Sequence, residues 1–193
     1  MNKLPFFYLH KKSSLINKPS PLLIMVHGYG SNEKDLFSFS RALPDELTII
    51  SIRGDINIQG AGYAWYDISI DFNGNKTYDN KKAIESRDAV ANCIDMCIET
   101  FNTDEKNITL MGFSQGSILV NAVALTYPEK VKNIISLSGA IDPNIINLSK
   151  SSLKSLSFYI SHGTLDEVIP YNLSKKSLIL LNENNLDYIF EDF

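Results

Sequence analysis

The chain has 193 residues, which suits one domain able to bury about 70% of the surface that the unfolded chain exposes. Its 44% hydrophobic and 21% charged residues exclude general disorder. The net charge of −4 gives no overall attraction for nucleic acid, so we expect no such partner. No apolar run approaches the roughly 18–20 residues of a membrane span, and the first residues lack a secretory signal. We therefore expect a cytoplasmic protein.

The two cysteines, Cys93 and Cys97, are spaced i,i+4 within a helical pattern. This spacing matches neither a zinc ribbon nor a redox CxxC motif. We expect both thiols to be reduced and to lie on one face of a helix.

Short β-branched runs alternate with helical stretches, which predicts an α/β fold with a mostly parallel sheet and helices on both faces. An edge strand is predicted at 6–9. The runs predicted as buried strands are 22–26, 47–52, 108–111, 134–137 with Val131, 156–160 and 186–190.

Helices are predicted between these strands, at 32–43, 81–101, 114–127 and near 174–181. The first begins with Asn32 as a plausible cap and places Leu36, Phe39 and Leu43 on one stripe. Right-handed crossovers would bring the carboxyl ends of the parallel strands to one edge of the sheet, where open α/β folds bind ligands.

The segment 54–80 is rich in Gly, Asn and Asp, contains the turn signal Asn73-Gly74, and holds the single tryptophan, Trp65. A loop of this length inside a compact domain is more often a binding loop than a connector. We therefore predict that it lies beside a functional site.

The third buried strand runs into Gly112-Phe113-Ser114-Gln115-Gly116, a G-x-S-x-G motif. Chance alone gives this pattern in roughly one chain in fifteen of this length, but a strand before it and a helix after it are the context of a nucleophile elbow. The sharp turn would expose the Ser114 hydroxyl at a helix N-terminus, where backbone N–H groups favour an oxyanion. The alternative is a tight turn with a capping serine.

A second turn, His27-Gly28-Tyr29-Gly30, follows the first buried strand. It would aim the N–H of Tyr29 at the same point as the N–H of Gln115, giving two oxyanion-hole donors. His27 is interpreted as a structural residue that bonds the loop.

A third segment, 162–170, follows the fifth buried strand with the sequence HGTLDEVIP. Asp166 comes after Ser114 in the chain, as the Ser…Asp…His order of this fold requires, and would hold an imidazole in the right tautomer. Asp142 is a competing acid, and an ordinary loop carboxylate is the alternative for either residue.

The pieces HGYG at 27–30, GFSQGS at 112–117 and HGTLDEVIP at 162–170, with Ala64-Trp65-Tyr66-Asp67 in the long loop, together resemble the phospholipase/carboxylesterase family of α/β-hydrolases. This group includes acyl-protein thioesterases. The order and spacing agree from about residue 21 to the end of the chain.

The resemblance implies a serine carboxylesterase acting through an acyl-enzyme on small-molecule esters or thioesters of modest acyl length, with no metal or cofactor. It implies Ser114 as nucleophile, Asp166 as triad acid, Tyr29 and Gln115 as oxyanion donors, and Trp65 with its loop lining the acyl groove. Members are often dimeric, so a homodimer is possible.

The triad histidine is the departure from the family pattern. Relatives carry it in a Gly-His turn after the last core strand, whereas the histidines here are His10, His27 and His162. The sequence therefore suggests a fold truncated at the C-terminus, with its last helix and histidine loop absent and its activity impaired. It is either a shortened version of a longer enzyme or a natural short homologue.

Two other readings remain beside the esterase. One is a non-catalytic homologue that binds acyl groups or another ligand and has kept the groove without the base. The other is a dienelactone-hydrolase-like or peptidase activity, which the serine at the elbow and the absence of large insertions disfavour.

Overall fold

The computed structural model describes residues 4–70, 72, 76–148 and 153–193. Its strands in chain order are β1 (Tyr8–Lys11), β2 (Ser20–Val26), β3 (Thr48–Ile52), β4 (Ile56–Ile58), β5 (Gly62–Ala64), β6 (Ile68–Ile70), β7 (Lys76–Tyr78), β8 (Thr103–Phe113), β9 (Asn133–Leu137), β10 (Ser157–His162) and β11 (Asp187–Asp192). Seven of these strands form one sheet in the order β1-β3-β2-β8-β9-β10-β11. All its neighbouring pairs are parallel except β1 with β3, so the prediction of a mostly parallel sheet is confirmed.

Helices cover both faces of this sheet, as predicted. They are α1 (Lys34–Phe37), which continues as a 3₁₀ turn (Ser38–Ala42), α2 (Asn80–Phe101), α3 (Gln115–Thr126) and α4 (Tyr171–Glu183). Leu36 of α1 packs on one face against Leu23, Met25 and Ile49. The larger core lies on the other face, where α2, α3 and α4 pack against the sheet.

The first helix differs from its prediction. The Asn32 side chain does accept a hydrogen bond from the N–H of Lys34 (2.9 Å), but the α-helix ends at Phe37. Phe39 is 52% exposed, so the predicted apolar stripe does not extend through it. The tighter 3₁₀ turn that follows changes the angular spacing of side chains and moves Phe39 off the buried face.

The N-terminal edge strand lies two residues later than predicted. Phe6 is buried outside β1 and packs edge-on against Trp65, with ring centroids 5.5 Å apart. This aromatic contact ties the start of the chain to the long loop 54–80.

That loop contains two small antiparallel hairpins, β4 with β5 and β6 with β7. The predicted Asn73-Gly74 turn lies outside the described residues. The segment is therefore folded in two short ribbons, and the second ribbon reaches the cavity described below.

Both cysteines are fully buried on α2 as free thiols, with their Sγ atoms 3.9 Å apart. No helix in the described part of the chain is long and apolar enough to cross a membrane.

The carboxyl ends of four neighbouring parallel strands determine where a site can form. β2, β8, β9 and β10 end at Val26, Phe113, Leu137 and His162. Because they run in the same direction, the turns that follow them lie along one edge of the sheet. All three predicted motifs start at this edge.

Candidate active site

Ser114 lies in a sharp turn between the last residue of β8 and the first residue of α3. Its backbone has φ 52° and ψ −116°, a conformation that costs a non-glycine residue about 1–3 kcal/mol. The surrounding structure holds it there: its N–H donates to the carbonyl of Leu137 (2.9 Å), and its carbonyl accepts from the N–H of Ile118 (3.1 Å). The serine is partly exposed.

The two glycines of the motif are required by close backbone contacts. A Cβ on Gly112 would lie 2.4 Å from the carbonyl oxygen of Gly116, and a Cβ on Gly116 would lie 2.1 Å from that of Val26. Real Cβ atoms do not approach oxygens this closely, so α3 can pack against β2 and β8 only with glycine at both positions.

The turn at 27–30 lies directly against Ser114. A Cβ on Gly28 would be 3.4 Å from the Cβ of Ser114. The His27 ring is fully buried; its Nδ1 donates to the carbonyl of Gly28 (2.8 Å), and its Nε2 accepts from the N–H of Gly54 (3.0 Å). Burial lowers the pKa of His27, which keeps the ring neutral. As predicted, His27 bonds the loop.

Tyr29 and Gln115 both line the cavity that Ser114 faces. Within the described chain, no hydrogen bond from the backbone N–H of either residue to a protein acceptor is found. Gln115 is the first residue of α3, where an N–H has no partner in its own helix. Two unbonded donors therefore lie beside the serine.

The side chain of Gln115 bonds the turn at Ser114 to the loop 54–80. Its Oε1 accepts from the N–H of Trp65 (3.1 Å), and its Nε2 donates to the carbonyl of Tyr66 (2.7 Å). With only 2% of its surface exposed, this amide links two backbone segments without water.

Trp65 is placed differently from the prediction. It is 3% exposed and is absent from the residues that line the cavity. Its indole N–H donates to the carbonyl of His27 (2.8 Å), and its ring lies against that of His27, with centroids 5.1 Å apart. An indole that donates to a buried carbonyl is held inside the protein. Trp65 therefore packs against the turn at 27–30 and does not line the cavity.

The neighbouring residue, Tyr66, lines the cavity instead. Its ring contacts that of Tyr78, with centroids 4.9 Å apart. Burial, together with the nearby Asp142 carboxylate, raises the pKa of the Tyr66 hydroxyl. The hydroxyl therefore stays protonated near neutral pH and is a potential hydrogen-bond donor.

The cavity has a volume of about 810 Å³ and is lined mainly by apolar side chains. Its walls come from the β6–β7 hairpin, the start of α3, the loop after β9, the end of the 162–170 loop and one face of α4. The residues that line it are Tyr29, Tyr66, Ile68, Ile70, Lys76, Tyr78, Ser114, Gln115, Ile118, Ala140, Ile141, Asp142, Pro143, Val168, Ile169, Leu173, Lys176, Ser177 and Leu180.

The carboxylate of Asp166 is bonded within its own loop. Its Oδ1 accepts from the N–H groups of Val168 (2.8 Å) and Ile169 (2.9 Å), and its Oδ2 lies 3.5 Å from Nε2 of His162. His162 is fully buried, and its Nε2 donates to the carbonyl of Ile169 (2.8 Å). Neither Asp166 nor His162 lines the cavity.

The competing acid, Asp142, does line the cavity. Its Oδ1 accepts from both the backbone N–H (2.8 Å) and the side-chain amide (2.9 Å) of Asn144. It therefore caps a 3₁₀ turn, Pro143–Ile145.

The remaining histidine, His10, lies on β1, where its ring contacts Phe101 with centroids 4.5 Å apart. β1 is the strand at the end of the sheet farthest from β11, three positions from β8. The structure thus places none of the three imidazoles in the wall of the cavity.

Most of the cavity wall was missed by the sequence analysis. Its two main parts are the alternating Ile68 and Ile70 of the hairpin and the α4 face with Leu173, Lys176 and Leu180. The spacing i, i+3, i+7 on α4 was a usable signal for one helix face, although it did not say what that face would contact.

No group of three or more His, Cys, Asp or Glu side chains that could hold a metal ion occurs among the residues that the structure describes. The arrangement that is present is a strained serine, two unbonded amides and an apolar cavity. Such an arrangement can bind an acyl group and stabilise charge on a carbonyl oxygen.

The chain is similar to known proteins in both sequence and structure. The sequence profile of the phospholipase/carboxylesterase family matches residues 13–193. Acyl-protein thioesterase 1 of Emericella nidulans is 26% identical over 207 aligned residues, covering 97% of this chain and 84% of that protein. Acyl-protein thioesterase 1 of Cryptococcus neoformans is 25% identical and covers 92% of this chain and 79% of its own.

The fold matches that of solved carboxylesterases. The Bacillus cereus carboxylesterase superposes with a TM-score of 0.83 at 20% identity, covering 97% of this chain and 84% of that one. The Mesorhizobium loti carboxylesterase gives 0.82 at 20% identity, with 100% and 88% covered. The chain therefore has the α/β-hydrolase fold and belongs to the phospholipase/carboxylesterase family.

Proposed function

We propose that this chain is a cytoplasmic serine carboxylesterase that hydrolyses small-molecule carboxylic esters or thioesters of modest acyl length without a cofactor. The observation that carries the proposal is the position of Ser114, which is held at φ 52° in the wall of an apolar cavity beside two unbonded amides. Nucleophilic acyl transfer uses an accessible hydroxyl, space for the acyl group and donors for the developing oxyanion.

In this mechanism the Ser114 hydroxyl oxygen adds to the acyl carbonyl carbon. The negative charge that develops on the carbonyl oxygen is stabilised by the N–H groups of Tyr29 and Gln115. Each such donor is worth about 2.7–4 kcal/mol of transition-state stabilisation. Loss of the alcohol or thiol leaves an acyl-serine, and water then releases the acid.

Asp166 is our proposed triad acid. Two loop N–H groups fix its Oδ1, which orients the carboxylate and places Oδ2 3.5 Å from Nε2 of His162. An acid in this role holds the base in the productive tautomer.

The general base is the weak part of the site. The His27 nitrogens both have backbone partners, His162 is fully buried, and His10 is on a distant strand. A serine without a base is a poor nucleophile, and triads that lack a member retain about 10³–10⁴ over water. We therefore expect these residues alone to give slow turnover.

Chemical rescue tests the proposal. Hydrolysis of p-nitrophenyl butyrate is measured with increasing imidazole, which supplies the base from solution, and the rate of imidazole alone is subtracted. We expect saturable rescue of at least about tenfold, since general bases contribute roughly 10²–10⁴ when well positioned. Ser114→Ala should abolish the rescue.

Ser69→Ala is the matched control for this experiment. Ser69 is exposed on β6, between two residues that line the cavity, but it does not line the cavity itself. The control should be rescued as the unaltered chain is. Equal rescue of Ser114→Ala would remove Ser114 from the mechanism.

A non-catalytic acyl-binding protein is the second candidate, because all three imidazoles are placed away from the cavity. A binding titration with butyrate, run beside the rescue experiment, separates the two functions. Saturable binding of butyrate without any rescue by imidazole would favour the binding protein.

A further inference from the structure

The charge at the cavity is opposite in sign to that of the chain. The protein carries a net charge of −4, yet the charged residues that line the cavity are two lysines, Lys76 and Lys176, and one carboxylate, Asp142. An apolar cavity with an excess of ammonium groups is suited to a ligand that is both apolar and anionic.

Lys176 lies on the face of α4 that lines the cavity. Leu173, Lys176, Ser177 and Leu180 share this face at i, i+3, i+4 and i+7. Ser177 fixes the orientation of the helix, because its hydroxyl accepts from the N–H of Ile141 (2.7 Å) and donates to the carbonyl of Leu173 (3.1 Å). Lys176 is therefore the charged residue on the helix face that lines the cavity.

The ammonium of Lys176 makes no ion pair or hydrogen bond with any residue that the structure describes. Asp142 does not neutralise it, since Oδ1 of that carboxylate is occupied by Asn144 and no lysine lies within ion-pair distance of it in the described chain. An unpaired cation beside an apolar cavity is free to pair with a ligand.

Lys76, on the β6–β7 hairpin, adds a second positive charge to the cavity wall. Its Nζ donates to the carbonyl of Val168 (2.8 Å), which ties the β6–β7 hairpin to the loop that carries Asp166. A carbonyl partner does not neutralise the ammonium, and two of its three donors stay available.

We propose that Lys176, assisted by Lys76, makes this cavity selective for amphiphiles that carry an anionic group, a carboxylate or a phosphate, on an apolar chain. That such a ligand is also a substrate rests on the proposed function. The substrate would then be an acyl ester or thioester that bears the anionic group. Binding itself does not depend on the chemistry at Ser114.

Calorimetric titration of the chain with octanoate, octyl phosphate and octanol tests this selectivity without turnover. At low salt, at least one anion should bind about fivefold more tightly than octanol, the upper end of what one solvent-accessible ion pair contributes. The ratio between octanoate and octyl phosphate shows which anionic group is preferred. The preference should weaken at 1 M salt because screening then acts within about 3 Å.

Lys176→Gln should reduce the preference for the anion to about twofold or less and leave octanol binding unchanged. Lys175→Gln is the matched control: it removes the same charge from the adjacent residue, whose ammonium lies over the rings of Tyr171 (5.7 Å) and Phe190 (5.0 Å). Lys175 does not line the cavity.

Three results would overturn the proposal: equal binding of all three ligands, no detectable binding of either anion, or the same loss in both lysine variants. Each of these leaves the Ser114 proposal intact, because that proposal is tested with an uncharged ester. Conversely, failure of imidazole rescue would not affect the binding result.

Discussion

The turn after β8 and the turn after β10 lie on the same edge of the sheet but differ in which groups they leave unbonded. In the first, the Ser114 N–H and carbonyl are bonded to backbone, and the side chain lines the cavity. In the second, Oδ1 of Asp166 and Nε2 of His162 bond to their own loop, and Nδ1 of His162 is buried without a hydrogen-bond partner among the described residues. The proposed nucleophile therefore lines the cavity, whereas the proposed acid, Asp166, and the neighbouring His162 ring do not.

The largest effect is expected from a substitution that disrupts the close packing around the turn after β8. Gly116→Ala should destabilise the fold by more than about 3 kcal/mol, or prevent folding, because the new Cβ would lie 2.1 Å from a backbone oxygen that cannot move alone. The free energy of unfolding is measured in urea.

Gly60→Ala provides the comparison for this variant. Gly60 has φ +77° but no atom within 4 Å of the added Cβ, so only backbone strain of about 1–2 kcal/mol is expected. If the two variants lost equal stability, the elbow would not be held by the packing that we describe.

The second test removes the two hydrogen bonds of the Gln115 side chain. Gln115→Met keeps the volume but leaves the N–H of Trp65 and the carbonyl of Tyr66 without their partners. Burying these groups unpaired should cost about 2–4 kcal/mol in the free energy of unfolding. The matched Gln59→Met variant, at an exposed position, should stay within about 0.5 kcal/mol. A similarly small effect at Gln115 would mean that water replaces the amide.

The smallest effect is expected at Asp166. Asp166→Ala removes the acceptor for two N–H groups and should cost about 1–2 kcal/mol, as loss of a capping side chain does. Asp166→Asn keeps an acceptor oxygen and should cost less than about 0.5 kcal/mol in the same urea experiment. If both variants lost the same amount, the charge beside His162 rather than the loop hydrogen bonds would be the stabilising feature.

Features that residues close together in the chain determine could be predicted from the sequence, whereas contacts between distant segments could not. The elbow was predictable because strand, Gly-x-Ser-x-Gly and helix are adjacent in the chain, so local sterics fix the turn. The order of parallel strands then placed the turns after β2, β8 and β10 together. The range that matches the family profile, residues 13–193, includes all three turns.

The cavity wall was not predictable in the same way. Tyr66 lines the cavity and Trp65 does not. Their positions are set by hydrogen bonds from Gln115 and His27, which are distant in the sequence. Likewise, α4 and the β6–β7 hairpin line the same cavity although they are about 100 residues apart in sequence. Periodicity identifies an apolar face, but it does not identify what that face covers.

We propose that the Ser114 hydroxyl is the nucleophile that attacks an acyl group bound in the cavity. Peptide mass mapping of the chain after reaction with p-nitrophenyl butyrate in the presence of imidazole tests this most directly. We expect one butyryl group, on the peptide that contains Ser114, and none on the Ser114→Ala variant. A butyryl group on another serine, or on none while hydrolysis proceeds, would contradict it.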